Sequence, residues 1–273
     1  MISSPIVKFV LTAALRDKLI ITFLLLLVLI TSISIFLGSA TITEEDQFAM
    51  VYTAGGMRFL GVLCVILFSC FYVRRAFDSK EVEFMLSKPV SRLNYVLSHA
   101  TAFVILSVLI ALIISAIVYI TGQPDVTGWL VWGLSLCIEF TLVSIIALFF
   151  SMVLSSAAGS ALACFAVYAL ARMIGVILAI SILPADSTIN MILAHVMEFV
   201  SIFIPRLDLM GNTSWLVYGS EMLQNYEADR FAEGWSRDMV QSISVPWFIV
   251  IQGAVFSVFL LTCTVFDFVR KQF

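Results

Sequence analysis

Residues 19–43 read LIITFLLLLVLITSISIFLGSATIT, a run without a charged side chain. At about 1.5 Å per residue it is long enough to cross a hydrocarbon core of about 30 Å. No period-two alternation runs through it, so its pattern is that of a helix rather than a barrel strand. A signal peptide is the competing reading, because Gly38, Ser39 and Ala40 resemble a small-residue cleavage site; the apolar core is long for one. The same chemistry extends over the chain. Hydrophobic residues make up 62% of the 273 positions and charged residues 12%, and the mean hydropathy is +1.09. Too little polar surface remains for a water-soluble fold. In lipid, backbone polar groups must be satisfied within the chain, so these helical runs imply an all-α integral membrane protein.

Working outward, residues 5–17 carry Lys8 and Arg16 among apolar residues at helical spacing (Ile6, Phe9, Val10, Ala13, Ala14), the pattern of a helix lying along a membrane interface. After the first crossing come Glu44, Glu45 and Asp46, then a second crossing over about 50–73. Arg58 stands near its outer end, where it is expected to snorkel to the headgroups. Further crossings are expected over about 95–120, 129–153, 161–183 and 245–266, the fourth and fifth joined by a small-residue turn at 155–160. That makes six, in a single transmembrane domain spanning 1–273. Between the last two lies a more polar segment, 186–244. Its apolar stretch 189–204 is short for a crossing and is expected to pack at the outer face or dip partway into the membrane, with a seventh crossing as the alternative.

With the N-terminus in the cytoplasm, one side of the membrane receives ten of the fifteen Lys and Arg residues: three before the first crossing, five between Arg74 and Arg92, and Arg270 with Lys271. The other side's short loops have none, and its long segment has only Arg206, Arg230 and Arg237. This is the positive-inside pattern, and it places both termini in the cytoplasm. Trp129, Trp132, Trp215, Trp235 and Trp247 fall near the expected outer boundary, as an aromatic belt would.

Candidate chemistry is sparse. The five cysteines lie in apolar runs without CxxC spacing and read as packing residues. His195 and Glu198, one turn apart, are too few for a metal site and read as a polar stripe. No Ser/His/Asp arrangement and no Gly-rich nucleotide loop occurs, so no catalytic residue is assigned, and no basic run suggests nucleic acid. Two charges do fall deep inside crossings. Glu139 in the fourth and Arg172 in the fifth each lie roughly 15–17 Å from the outer end at 1.5 Å per residue. At matching depths on consecutive antiparallel helices, an unpaired charge costs several kcal/mol, so an intramembrane ion pair is expected. Its reading is structural, holding two helices in register, with substrate or proton handling as the alternative.

The longest positively flanked loop, residues 74–94, leads into the third crossing through EVEFMLSKPVSRLNYVLSH at 81–99. Val82, Met85 and Leu86, with Phe84 beside them, give a short helix an apolar side among charges. Pro89 ends it, and Ser87 is placed to cap the segment that leads through Arg92 into the third crossing. A solvated loop resting on the membrane is the plain alternative. The run resembles the cytoplasmic signature of type 2 ABC transporter permeases, in which an acidic helical stretch precedes Leu-Ser-Lys/Arg-Pro-Val/Ile-Ser-Arg. That family's motif often has Lys or Arg where His99 stands. The layout of six crossings with a long outer segment before the last also resembles this family.

The resemblance implies that the loop is a coupling helix seated in a cleft of a separate cytosolic ATPase subunit. Glu81, Glu83, Phe84, Met85, Leu86 and Lys88 would lie at the contact, with Pro89 and Arg92 setting the turn back to the membrane. It implies a permease subunit of an exporter-type complex in a bacterial inner membrane, paired with a second copy or a homologue, surrounded by membrane lipids and open to an extracytoplasmic accessory protein. No GxxxxGK[ST] loop occurs, so ATP and Mg²⁺ are expected in the partner ATPase and no cofactor in this chain. A membrane scaffold, or a secondary transporter needing no ATPase, is the reading from other classes.

Overall fold

The computed structural model describes residues 3–39, 45–87, 90–122, 124–182, 195–196, 199–218 and 245–270, and among these there are helices and no strand. Among the described residues six helices are long and apolar enough to cross a membrane. They are α2 (Lys18–Ser39), α3 (Glu45–Asp78), α5 (Arg92–Gly122), α6 (Val126–Val153), α7 (Ala157–Ile182) and α9 (Val245–Arg270). The shorter ones are α1 (Ser4–Arg16), α4 (Glu81–Leu86) and α8 (Leu207–Asn212), the last running into a 3₁₀ helix over Thr213–Tyr218.

The ends of these helices follow local chemistry. Pro5 opens α1, where its missing N–H costs nothing. The second crossing continues past Val73, because nothing in 74–78 breaks a helix. Arg74 pairs with Asp78 one turn on at 3.1 Å and lies over the Phe77 ring. The expected turn at 155–160 is shorter, since α7 already starts at Ala157. Ser156 is its cap, its Oγ accepting from the Gly159 N–H at 3.3 Å, and the small residues after it suit a helix as well as a turn. The last crossing likewise extends through Phe266 to Arg270.

The chain divides into two compact units. The first comprises Met1–Gln123, Phe140–Phe165 and Ser257–Phe273. Within it α3 packs against both α2 and α5, and α1 lies on α5. Ile6, Val10 and Ala14 of α1 are buried, one turn apart, while Phe9 faces out, so the buried stripe is narrower than the spacing suggested. The Ser3 N–H donates to Ser98 Oγ at 2.9 Å and Asp17 accepts from Arg75 at 3.2 Å. Arg58 does not snorkel. It is 2% exposed, covered by protein rather than reaching outward.

The second unit comprises Pro124–Glu139 and Ala166–Phe256. Trp132 of α6 is fully buried, which removes that residue from any lipid-facing aromatic belt. Backbone meets backbone where Gly128 of α6 lies against the carbonyl oxygen of Leu216, in space that a Cβ would occupy. Gly128→Ala is therefore expected to cost about 2 kcal/mol as an overpacking change. A lower apparent melting temperature of the purified protein in detergent checks this.

Candidate functional site

The loop singled out by its charges begins at the end of α3. The Ser79 N–H donates to the Arg75 carbonyl at 2.9 Å and the Lys80 N–H to the Phe77 carbonyl at 3.1 Å. Lys80 itself takes a left-handed backbone with φ 58°, a role that usually falls to glycine after a helix. This turn sends the chain directly into α4. Glu81 and Glu83 stand in the first turn of α4, where the helix amides favour negative charge.

The short helix is not apolar along one simple side. Val82 is turned inward at 1% exposure, whereas Phe84 is 62% exposed beside the exposed Glu83, and Met85 is half-buried. Partial burial raises the Glu81 carboxyl above the usual glutamate range, and the Arg75 charge opposes this. Lys88, Pro89 and the side chain of Leu86 lie outside the described residues. Ser87 does not cap the next segment, since its Oγ donates back to the Phe84 carbonyl at 2.8 Å. The cap of α5 is Ser91, whose Oγ accepts from the Asn94 N–H at 3.2 Å.

The helix ends flanking this loop are tied together. Arg92 Nη1 donates to the carbonyl of Val269 at 2.9 Å, a cation on the C-terminal end of α9. Next to it, the fully buried Phe268 ring stacks on Tyr95 at 5.4 Å and meets Phe77 edge-on at 6.5 Å. The last turns of α3 and α9 and the first turn of α5 thus share one aromatic collar. Tyr95 extends it to His99 at 4.2 Å, and the His99 Nδ1 lies 3.0 Å from the Tyr95 carbonyl. Phe268, Tyr95 and Phe77 carry no charge pattern that singles them out among many apolar residues.

Glu139 and Arg172 lie together in the second unit. Arg172 Nη1 is 3.7 Å from Glu139 Oε1, with the Glu139 side chain 0% and the Arg172 side chain 30% exposed. Tyr168, one turn from Arg172 on α7, donates its hydroxyl to the same Oε1 at 3.0 Å. Arg172 Nη1 also donates to the Leu207 carbonyl at 3.1 Å. Beside it, the buried Arg206 holds Asp208 through Nε at 3.0 Å and Nη2 at 2.8 Å. In the charge count Arg206 is only a loop cation. The Arg-Leu-Asp spacing after Pro205 is the one sequence signal for this pair.

His195 is exposed and Glu198 lies outside the described residues, as does most of 186–244. Among the described residues no three His, Cys, Asp or Glu side chains gather as metal ligands would. No protein-family model matches the chain, and no curated protein matches it.

Proposed function

We propose that this chain is the membrane-spanning subunit of an ATP-driven transporter of the type 2 ABC permease kind, and that α4 is its coupling helix. The observation that carries this reading is the seating of α4. Val82 anchors it, Glu83 and Phe84 face outward, and the helix is joined directly to two long crossings whose ends the Phe268 collar ties to a third. Such a knob transmits a push to the crossings as a rigid body rather than absorbing it. Phe84 offers an aromatic anchor and Glu83 a charge for a cleft in the ATPase. ATP and Mg²⁺ bind that partner, and this chain performs no hydrolysis.

In this reading the loop and both termini face the cytoplasm of a bacterial cell, as the Lys and Arg count indicates. Helix α1 lies along the inner membrane surface. A second copy or a homologue completes the pathway, the complex works as an exporter, and the polar segment between α7 and α9 faces outward, available to an accessory protein.

Detergent-solubilised membranes bearing the tagged chain are expected to retain a soluble ATPase, identified by mass spectrometry and by ATP hydrolysis in the eluate. Glu83→Lys and deletion of 82–86 are expected to abolish retention while the chain stays monodisperse. Undiminished retention in both variants removes the coupling assignment and leaves the scaffold reading in its place.

A further inference from the structure

Arg172 stands at a junction of three pieces of chain in the second unit: α7, which carries it; Glu139 of α6; and the backbone of residues 205–218. That stretch comes close to the helices at three glycines, once backbone to backbone. Gly175 of α7 lies against Asp208, Gly128 of α6 against the Leu216 carbonyl, and Gly211 against the Arg172 guanidinium, each in space a Cβ would need. Thr213 Oγ1 and Ser135 Oγ of α6 are hydrogen-bonded at 2.7 Å. We infer that residues 205–218 form a strap clasped onto α6 and α7, and that Arg172 is its latch.

The latch spans a backbone carbonyl and an acid. Nη1 makes a full hydrogen bond with the Leu207 carbonyl at 3.1 Å but stands off Glu139 Oε1 at 3.7 Å. Nη1 carries two hydrogens, so it donates to the carbonyl while its charge faces the carboxylate, and the guanidinium bridges the strap and α6. Glu139 holds the charge in place and Tyr168 fixes the carboxylate, so the guanidinium is kept where it holds the strap. Release uncovers the glycine-lined faces of α6 and α7. The inference stands on this geometry and does not depend on an ATPase docking at α4.

The test uses the full chain in detergent, in a background with the five native cysteines replaced by serine. Met210→Cys reports on the strap and Ile66→Cys, on α3, reports on the fold at large; both positions are fully buried. Labelling by a water-soluble maleimide is expected to be slow at both positions in the parent. Arg172→Met is expected to speed labelling at position 210 by roughly ten- to a hundredfold, as expected for loss of one charge-assisted hydrogen bond, with position 66 unchanged. Gly211→Ala, which crowds the guanidinium without removing the charge, is expected to act in the same direction. Adding it to Arg172→Met is expected to change nothing further. Unchanged labelling at position 210 in both single variants, an equal rise at position 66, or additive effects in the double variant would overturn the latch.

Discussion

Arg172→Met is expected to destabilise the second unit by about 3 kcal/mol or more, the scale for removing one partner of a buried ion pair. The cost comes from what remains. Glu139 is 0% exposed, and without the cation 3.7 Å away its polar side chain is left in a poorly solvated place. At an effective dielectric of about 20, attraction over that distance is on the order of 4 kcal/mol. Desolvation of the carboxylate offsets much of it in the intact pair.

Glu139→Gln is expected to cost less, since a Gln carbonyl still accepts from Tyr168 at the position of Oε1. The double variant is then expected to resemble Arg172→Met alone, with a coupling of about 1–3 kcal/mol. Melting curves of the four proteins in one detergent check this, and additive losses would show that the two side chains do not act as a pair.

The second large effect is expected at the other end of the chain. Phe268→Ala removes a fully buried ring between Tyr95 and Phe77 and is expected to cost about 3–4 kcal/mol. Phe268→Leu keeps most of the volume and is expected to lose less. The effect should also reach the loop. Lys80 is exposed at the left-handed turn before α4, and the collar fixes the ends of both flanking helices. Limited trypsin digestion is therefore expected to cut after Lys80 several-fold faster in Phe268→Ala than in the parent or in a variant of equal stability altered elsewhere, because local opening governs cleavage. Equal cleavage would mean that the collar stabilises α9 without holding the loop.

These two sites are legible in the sequence to different degrees. Glu139 and Arg172 can be brought together from numbering alone, since a charge deep in an apolar helix is costly and consecutive antiparallel helices put equal depths side by side. Tyr168 and the Leu207 carbonyl cannot. A tyrosine in an apolar helix fits core packing equally well, and a backbone oxygen leaves no mark on a side-chain pattern. Arg58 and Trp132 escape the sequence pattern for a related reason. In helices that are apolar all round, that pattern does not tell a lipid-facing side from a protein-facing one. In α4, charge placement identifies the loop, but which of Val82 and Phe84 points inward depends on how α3 ends at Lys80.

From its sequence alone this chain reads as an all-helical membrane protein with six candidate spans, two ionisable groups far from their ends and one loop of distinctive charge. Run length, composition and the cost of unsatisfied backbone in lipid determine these, and each is a local or additive property of the chain. Only the tertiary structure decides which faces are buried, that Phe268 joins three helix ends, and that Arg172 reaches both an acid and a backbone carbonyl. Those outcomes depend on side-chain direction and on close approach between segments far apart in the chain, and hydropathy along the sequence carries neither.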